Sequence, residues 1–84
     1  MGWLIMGETL ENVLNYSEEA DSQLLKLLPR YDIVKAFGEK TVTLEVRPPF
    51  DDMPTYYGYV SDMDDKSQWI EMVDEIKAVV LEKL

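Results

Sequence analysis

Between Glu8 and Leu28 the apolar residues return at helical spacing. Leu10, Val13, Leu14, Leu24, Leu27 and Leu28, with the small Ser17 and Ala20, fall on one side at about 100° per residue. Asp21 lies in the middle of that side, an awkward place for a charge in a continuous helix. A break near Tyr16–Ser17 resolves the conflict: Ser17 caps a fresh helix, Glu18 and Glu19 suit its first turn, and Asp21 moves to the flank. Pro29 ends the helix. Ahead of it, Trp3–Met6 (WLIM) is a short apolar run closed by Gly7, which reads as a buried strand.

A period of two takes over in YDIVKAFGEKTVTLEVRPP. Gly38-Glu39 supplies a two-residue turn with glycine first, as type II′ requires. That register pairs Phe37 with Lys40, Lys35 with Val42, Ile33 with Leu44 and Tyr31 with Val46, so one face is mostly apolar. Asp32, Val34, Ala36, Thr41, Thr43 and Glu45 share the other face. Pro48-Pro49 stops the second strand, because neither residue can donate to a ladder. Thr55–Val60 has the aromatic and β-branched content of a third strand, returning beside the second as a meander.

From Asp64 onward Trp69, Met72, Val73, Ile76, Val79, Val80 and Leu84 form an apolar helical stripe opposite Glu71, Asp74, Glu75 and Glu82. Ser61 with Asp64, and Asp62 with Asp65, have the spacing of a capping box at its start. The expected class is therefore α+β: one domain over residues 1–84, in the order β-α-β-β-β-α. Two layers are expected, with both helices on one face of an antiparallel or mixed sheet.

Composition narrows the chemistry. The chain has no cysteine, which suits a reducing cytoplasm and excludes thiolate metal sites. It has no histidine, which removes the commonest general base and the usual zinc ligand. With glycines scattered at 2, 7, 38 and 58 there is no phosphate-binding loop, and a domain of this size offers little cleft for paired carboxylates to work in. A non-enzymatic role is expected. WLIM is too short for a signal peptide or a membrane span. A net charge of −9 argues against direct contact with nucleic-acid phosphates or anionic lipid, and points to cationic partners: metal ions or basic proteins.

That charge is unevenly placed. Residues 1–24 carry five acids and no base, whereas residues 25–50 carry Lys26, Arg30, Lys35, Lys40 and Arg47 against three acids. Residues 51–75 carry eight acids against Lys66 alone. In a meander the loop 48–54 lies at the Tyr31–Asp32 end of the sheet, and 61–65 lies beside the Gly38-Glu39 turn. A six-residue strand, roughly 20 Å long, separates them.

The first corner, Asp62, Asp64 and Asp65 with Glu39, clusters the oxygen ligands that calcium or another divalent cation needs. It resembles the opening of an EF-hand loop but departs from it at Lys66, at the missing glycine and at Val73. Capping of the following helix is the competing role for these aspartates. The second corner holds Asp51 and Asp52, with Asp32 and Glu45 placed opposite each other by the register above. Arg30 or Arg47 would neutralise that pair, or a bound cation would.

Alternation sends Tyr57 and Tyr59 to one face and Tyr56 to the other. Tyr56 with Val34 and Ala36 would leave an apolar patch rimmed by Asp51 and Asp52, a docking surface for a basic partner. Taken together, WLIM, the helix to Leu28, three strands, the closing helix and the acidic loops FDDM and SDMDD resemble small acidic α+β proteins of archaea, mainly uncharacterised. Calcium binding has been proposed for some of them. The resemblance implies a non-enzymatic domain and divalent-cation binding.

Overall fold

The computed structural model describes residues 2–83, with side chains from Leu10 to Lys83. Its order is α1 (Gly2–Leu27), β1 (Asp32–Phe37), β2 (Val42–Arg47), β3 (Tyr56–Val60) and α2 (Lys66–Lys83). This is an α+β protein with two helices and one antiparallel sheet in the order β1-β2-β3. The expected first strand is absent: Trp3–Met6 is part of α1, which runs through Tyr16 and Ser17 without the expected break.

No break is needed, because Asp21 is neutralised across space. Lys35 on β1 donates to Asp21 Oδ2 at 2.5 Å and to Ser17 Oγ at 2.6 Å. Ser17 is therefore buried as an acceptor for a lysine rather than acting as a helix cap. The two charges that interrupt otherwise apolar patterns, one on a helix and one on a strand, meet each other.

The hairpin register differs from expectation by two residues. Phe37 faces Val42, Lys35 faces Leu44 and Ile33 faces Val46, with Gly38–Thr41 as the connection and Gly38 N donating to Thr41 O at 2.8 Å. Among the described residues no glycine has positive φ, so the turn is not type II′. Glycine at 38 answers to crowding instead: a Cβ there would lie 2.6 Å from Thr41 Oγ1. An even shift keeps each side chain on its expected face, so the apolar set survives the change.

Val42, Leu44 and Val46 of β2 and Tyr56 and Val60 of β3 are buried together with Trp69, Met72, Val73, Ile76 and Val80 of α2. Val13, Ala20 and Leu24 of α1, with Leu28 and Tyr31 just after it, complete the core. Full burial of each large side chain contributes roughly 1.5–3 kcal/mol. Helix α2 reaches β3 at Gly58, where a Cβ would meet Met72 Sδ at 2.7 Å and Ile76 Cδ1 at 3.0 Å. The bare glycine is what lets the helix come this close.

Candidate docking face and acidic corners

Pairing places Val34, Glu45 and Tyr57 in one row across the sheet, and Ala36, Thr43 and Tyr59 in the next. Their side chains lie on the face opposite Leu44 and the helices. Tyr57 is 72% exposed and Tyr59 58%, and Val34, Ala36 and Thr43 are exposed too. Val34, Ala36, Thr43, Glu45 and Tyr57 line a shallow depression on this face.

Tyr56, the tyrosine expected on this patch, is instead buried in the core. Its ring centroid lies 5.9 Å from that of Tyr31, and Lys83 Nζ lies 5.4 Å above it. Two large aromatics at 57 and 59 look more core-like than a face bearing Tyr56, Gly58 and Val60. Yet only the face with the glycine has room for α2. The signal in the sequence was the small residue between two large ones.

The two acidic corners do lie at opposite ends of the sheet. Tyr31 Oη donates to Pro54 O at 3.0 Å, holding the 48–54 loop to the start of β1. Met63 N donates to Lys40 O at 2.7 Å, holding the other loop beside the hairpin turn. Burial raises the Tyr31 phenol above its ordinary value, with Tyr56 adding to the shift.

At the first corner Asp62 and Asp65 serve the backbone. Asp65 caps α2: its Oδ1 accepts from Ser67 N at 3.0 Å and Ser67 Oγ at 2.7 Å. The Ser67 hydroxyl bond is the main cause holding the Asp65 carboxyl below the usual aspartate value. Asp62 Oδ1 accepts from Asp64 N at 3.0 Å, an Asx-type turn. Gln68 Oε1 accepts from the backbone of Ser61 and Asp62 at 3.0 Å each, and from the Ser61 hydroxyl. The cap is thus Asp65, not Ser61 or Asp62. Asp64 and Glu39 are exposed.

At the second corner Asp51 and Asp52 are exposed in the turn before β3. Asp32 and Glu45 are not opposite each other: Asp32 faces Arg47, and Glu45 faces Val34 and Tyr57. Arg47 Nη2 donates to Glu45 Oε2 at 3.2 Å. That bond, with smaller help from Asp32, raises the Arg47 guanidinium further above its ordinary value. Among the described residues, no group of three or more acidic side chains is gathered in a way that could hold a metal ion.

No protein-family model, curated protein or solved structure matches this chain. Among the described residues no helix is long and apolar enough to cross a membrane.

Proposed function

We propose that this protein is a non-enzymatic binding module whose uncovered sheet face docks a basic protein segment. The observation that carries the reading is the exposure of Tyr57 and Tyr59 beside Val34 and Ala36, with none of the described elements packed over them. Tyrosine supplies large, stiff contact area with a polar tip, and is enriched where proteins meet. Glu45 lies within the patch, Asp32 lies at its edge, and Asp51 and Asp52 follow the Arg47 end of β2. A partner presenting lysine or arginine around an apolar anchor matches that layout, and the net charge of −9 speeds its approach.

The test is a titration with a lysine- and arginine-rich peptide carrying one leucine or phenylalanine anchor, followed by residue-resolved NMR at physiological salt. Saturable shifts at Val34, Ala36, Thr43, Tyr57 and Tyr59 are expected. Replacing both Tyr57 and Tyr59 by alanine should weaken binding by about tenfold or more. Shifts spread over the acidic helices and abolished by salt would reject the docking face.

Calcium at Asp62, Asp64, Asp65 and Glu39 is the second reading, and it requires these side chains, not gathered into a metal site as they stand, to close around the ion. What favours it is that Asp62 spends Oδ1 on the Asp64 amide and keeps Oδ2 for a cation, beside the exposed Asp64. A calcium titration that saturates at 62–65 and leaves the sheet face unmoved would support it over docking.

A further inference from the structure

The sheet has two edges, and no described strand continues it beyond β1. Gly38 N points to Thr41 O, so by alternation the amides of Ile33, Lys35 and Phe37 point away from β2. The strand has no proline, and its pairing to β2 runs six residues without a bulge. A lysine normally defends such an edge with its charge. Here Lys35 is folded over onto Asp21 and Ser17, and its side chain is only 17% exposed.

Above this edge lies an apolar stripe that the core does not use. Helix α1 faces α2 through Tyr16, Ala20 and Gln23, and faces β1 through Ser17 and Asp21. At about 100° per residue, Leu10, Leu14, Asp21 and Leu25 fall within an arc of about 60° on the side away from α2. Leu10 is 58% exposed, Leu14 55% and Leu25 37%. The chain turns back between Leu28 and Tyr31, so α1 and β1 run antiparallel, and Leu14 stands near the level of Phe37, itself 54% exposed. Helix and strand together present one open apolar wall.

We propose that this wall is the interface of a twofold-symmetric homodimer, in which β1 pairs antiparallel with β1 of a second copy and α1 packs beside its counterpart. A single axis satisfies both tiers. With Lys35 on the axis, Ile33 faces Phe37 of the second copy and Val34 faces its Ala36, and the outward amides pair. Lys35 sits level with Ser17 and Asp21, so the same axis crosses α1 near residue 19 and sets Leu14 against Leu25 of the second copy. Paired strands sit about 4.8 Å apart, and the two α1 helices need a separation of about 8–10 Å to pack.

Charge favours a second copy over an unrelated strand. The first 24 residues hold five acids and no base, and the next bases are Lys26 and Arg30. With the axis near residue 19, Glu11 of one α1 comes near the level of Lys26 of the other, while Glu18 and Glu19 lie close to the axis and the Asp21 charge is held by Lys35. The hairpin itself, from Arg30 to Arg47, has four bases against three acids, so the strands meet where the molecule is least negative. The proposal does not rest on the docking reading; it would join two such faces into one continuous sheet surface.

Sedimentation equilibrium of the whole chain over a range of concentrations tests it. The expected result is a reversible dimer of the 9.8 kDa chain, with amide-exchange protection at Ile33, Lys35 and Phe37 that grows with concentration. Leu14→Glu and Phe37→Glu, each acting twice across the axis, should weaken association by about tenfold or more. Ile70→Glu carries the same added charge on an exposed α2 position and should leave association unchanged, as should Tyr57→Ala. Circular dichroism confirms that each variant is folded. A monomer at every concentration overturns the proposal, as does a dimer that tolerates both Leu14→Glu and Phe37→Glu. Failure here leaves the peptide titration untouched, since that experiment reads the sheet face.

Discussion

Asp21 and Lys35 each violate the pattern of the element they belong to, and they are each other's remedy. The side chains are 28% and 17% exposed, so both charges are largely out of water, and Asp21 Oδ1 is buried without a hydrogen-bond partner. Truncating one partner strands the other charge, whereas replacing both removes the desolvation cost along with the attraction. Lys35→Met alone and Asp21→Leu alone should each cost about 2 kcal/mol, while the double variant should recover most of that loss. Urea unfolding of the four proteins measures the coupling. Additive losses would show that the pair is not a unit. The same pair orients the α1 stripe over the β1 edge, so the double variant also asks whether that alignment survives without it.

At the scale of elements, α2 begins where Asp65 accepts the Ser67 amide and hydroxyl. This bonding lowers the folded-state pKa of Asp65 below its unfolded value. Its contribution to stability is therefore full above the unfolded value, near pH 4, and is lost as pH falls through the lower folded value. Asp65→Ala should lower the melting temperature at neutral pH, because the cap is gone. Asp65→Asn keeps a competent cap and should lose less at neutral pH, while its melting temperature should fall less steeply as pH drops below about 4. Thermal melts across that range check both. An asparagine variant with the acid sensitivity of the parent would place the titration elsewhere. On the sheet side, α2 rests on Gly58, so the helix start and its seat on β3 are set by two unrelated local features.

At the scale of the whole molecule, seventeen acids against eight bases act as a distributed repulsion on the compact state. Of the described charged side chains, Lys35 with Asp21 and Arg47 with Glu45 form ion pairs. Moderate salt should therefore raise the melting temperature, since it screens the excess negative charge more than it weakens two short-range pairs. Binding of a basic peptide to the sheet face should move the opposite way and weaken as salt is added. Melts and titrations along one sodium chloride series check the two signs together. A melting temperature that falls with salt would mean that the net charge is not what limits stability.

Periodicity located the two helices and the three strands, though not the unbroken course of α1, and the buried side of α2 apart from Val79; with the turn residues it also separated the acidic corners to opposite ends of the sheet. These follow from the chain's own repeat of 3.6 or 2.0 residues, a local property. Residues 3–6 became helix rather than strand because a short apolar run carries no period of its own. Which of two tyrosine faces is buried, the two-residue offset of the hairpin and the rescue of Asp21 by Lys35 were all left to tertiary structure. The first and the last depend on what a distant element presents across the gap, a methionine against a glycine and an ammonium reaching from strand to helix, whereas the offset goes with the backbone bonding of the Gly38–Thr41 turn. Such contacts join residues with no common repeat, and only the folded chain brings them together.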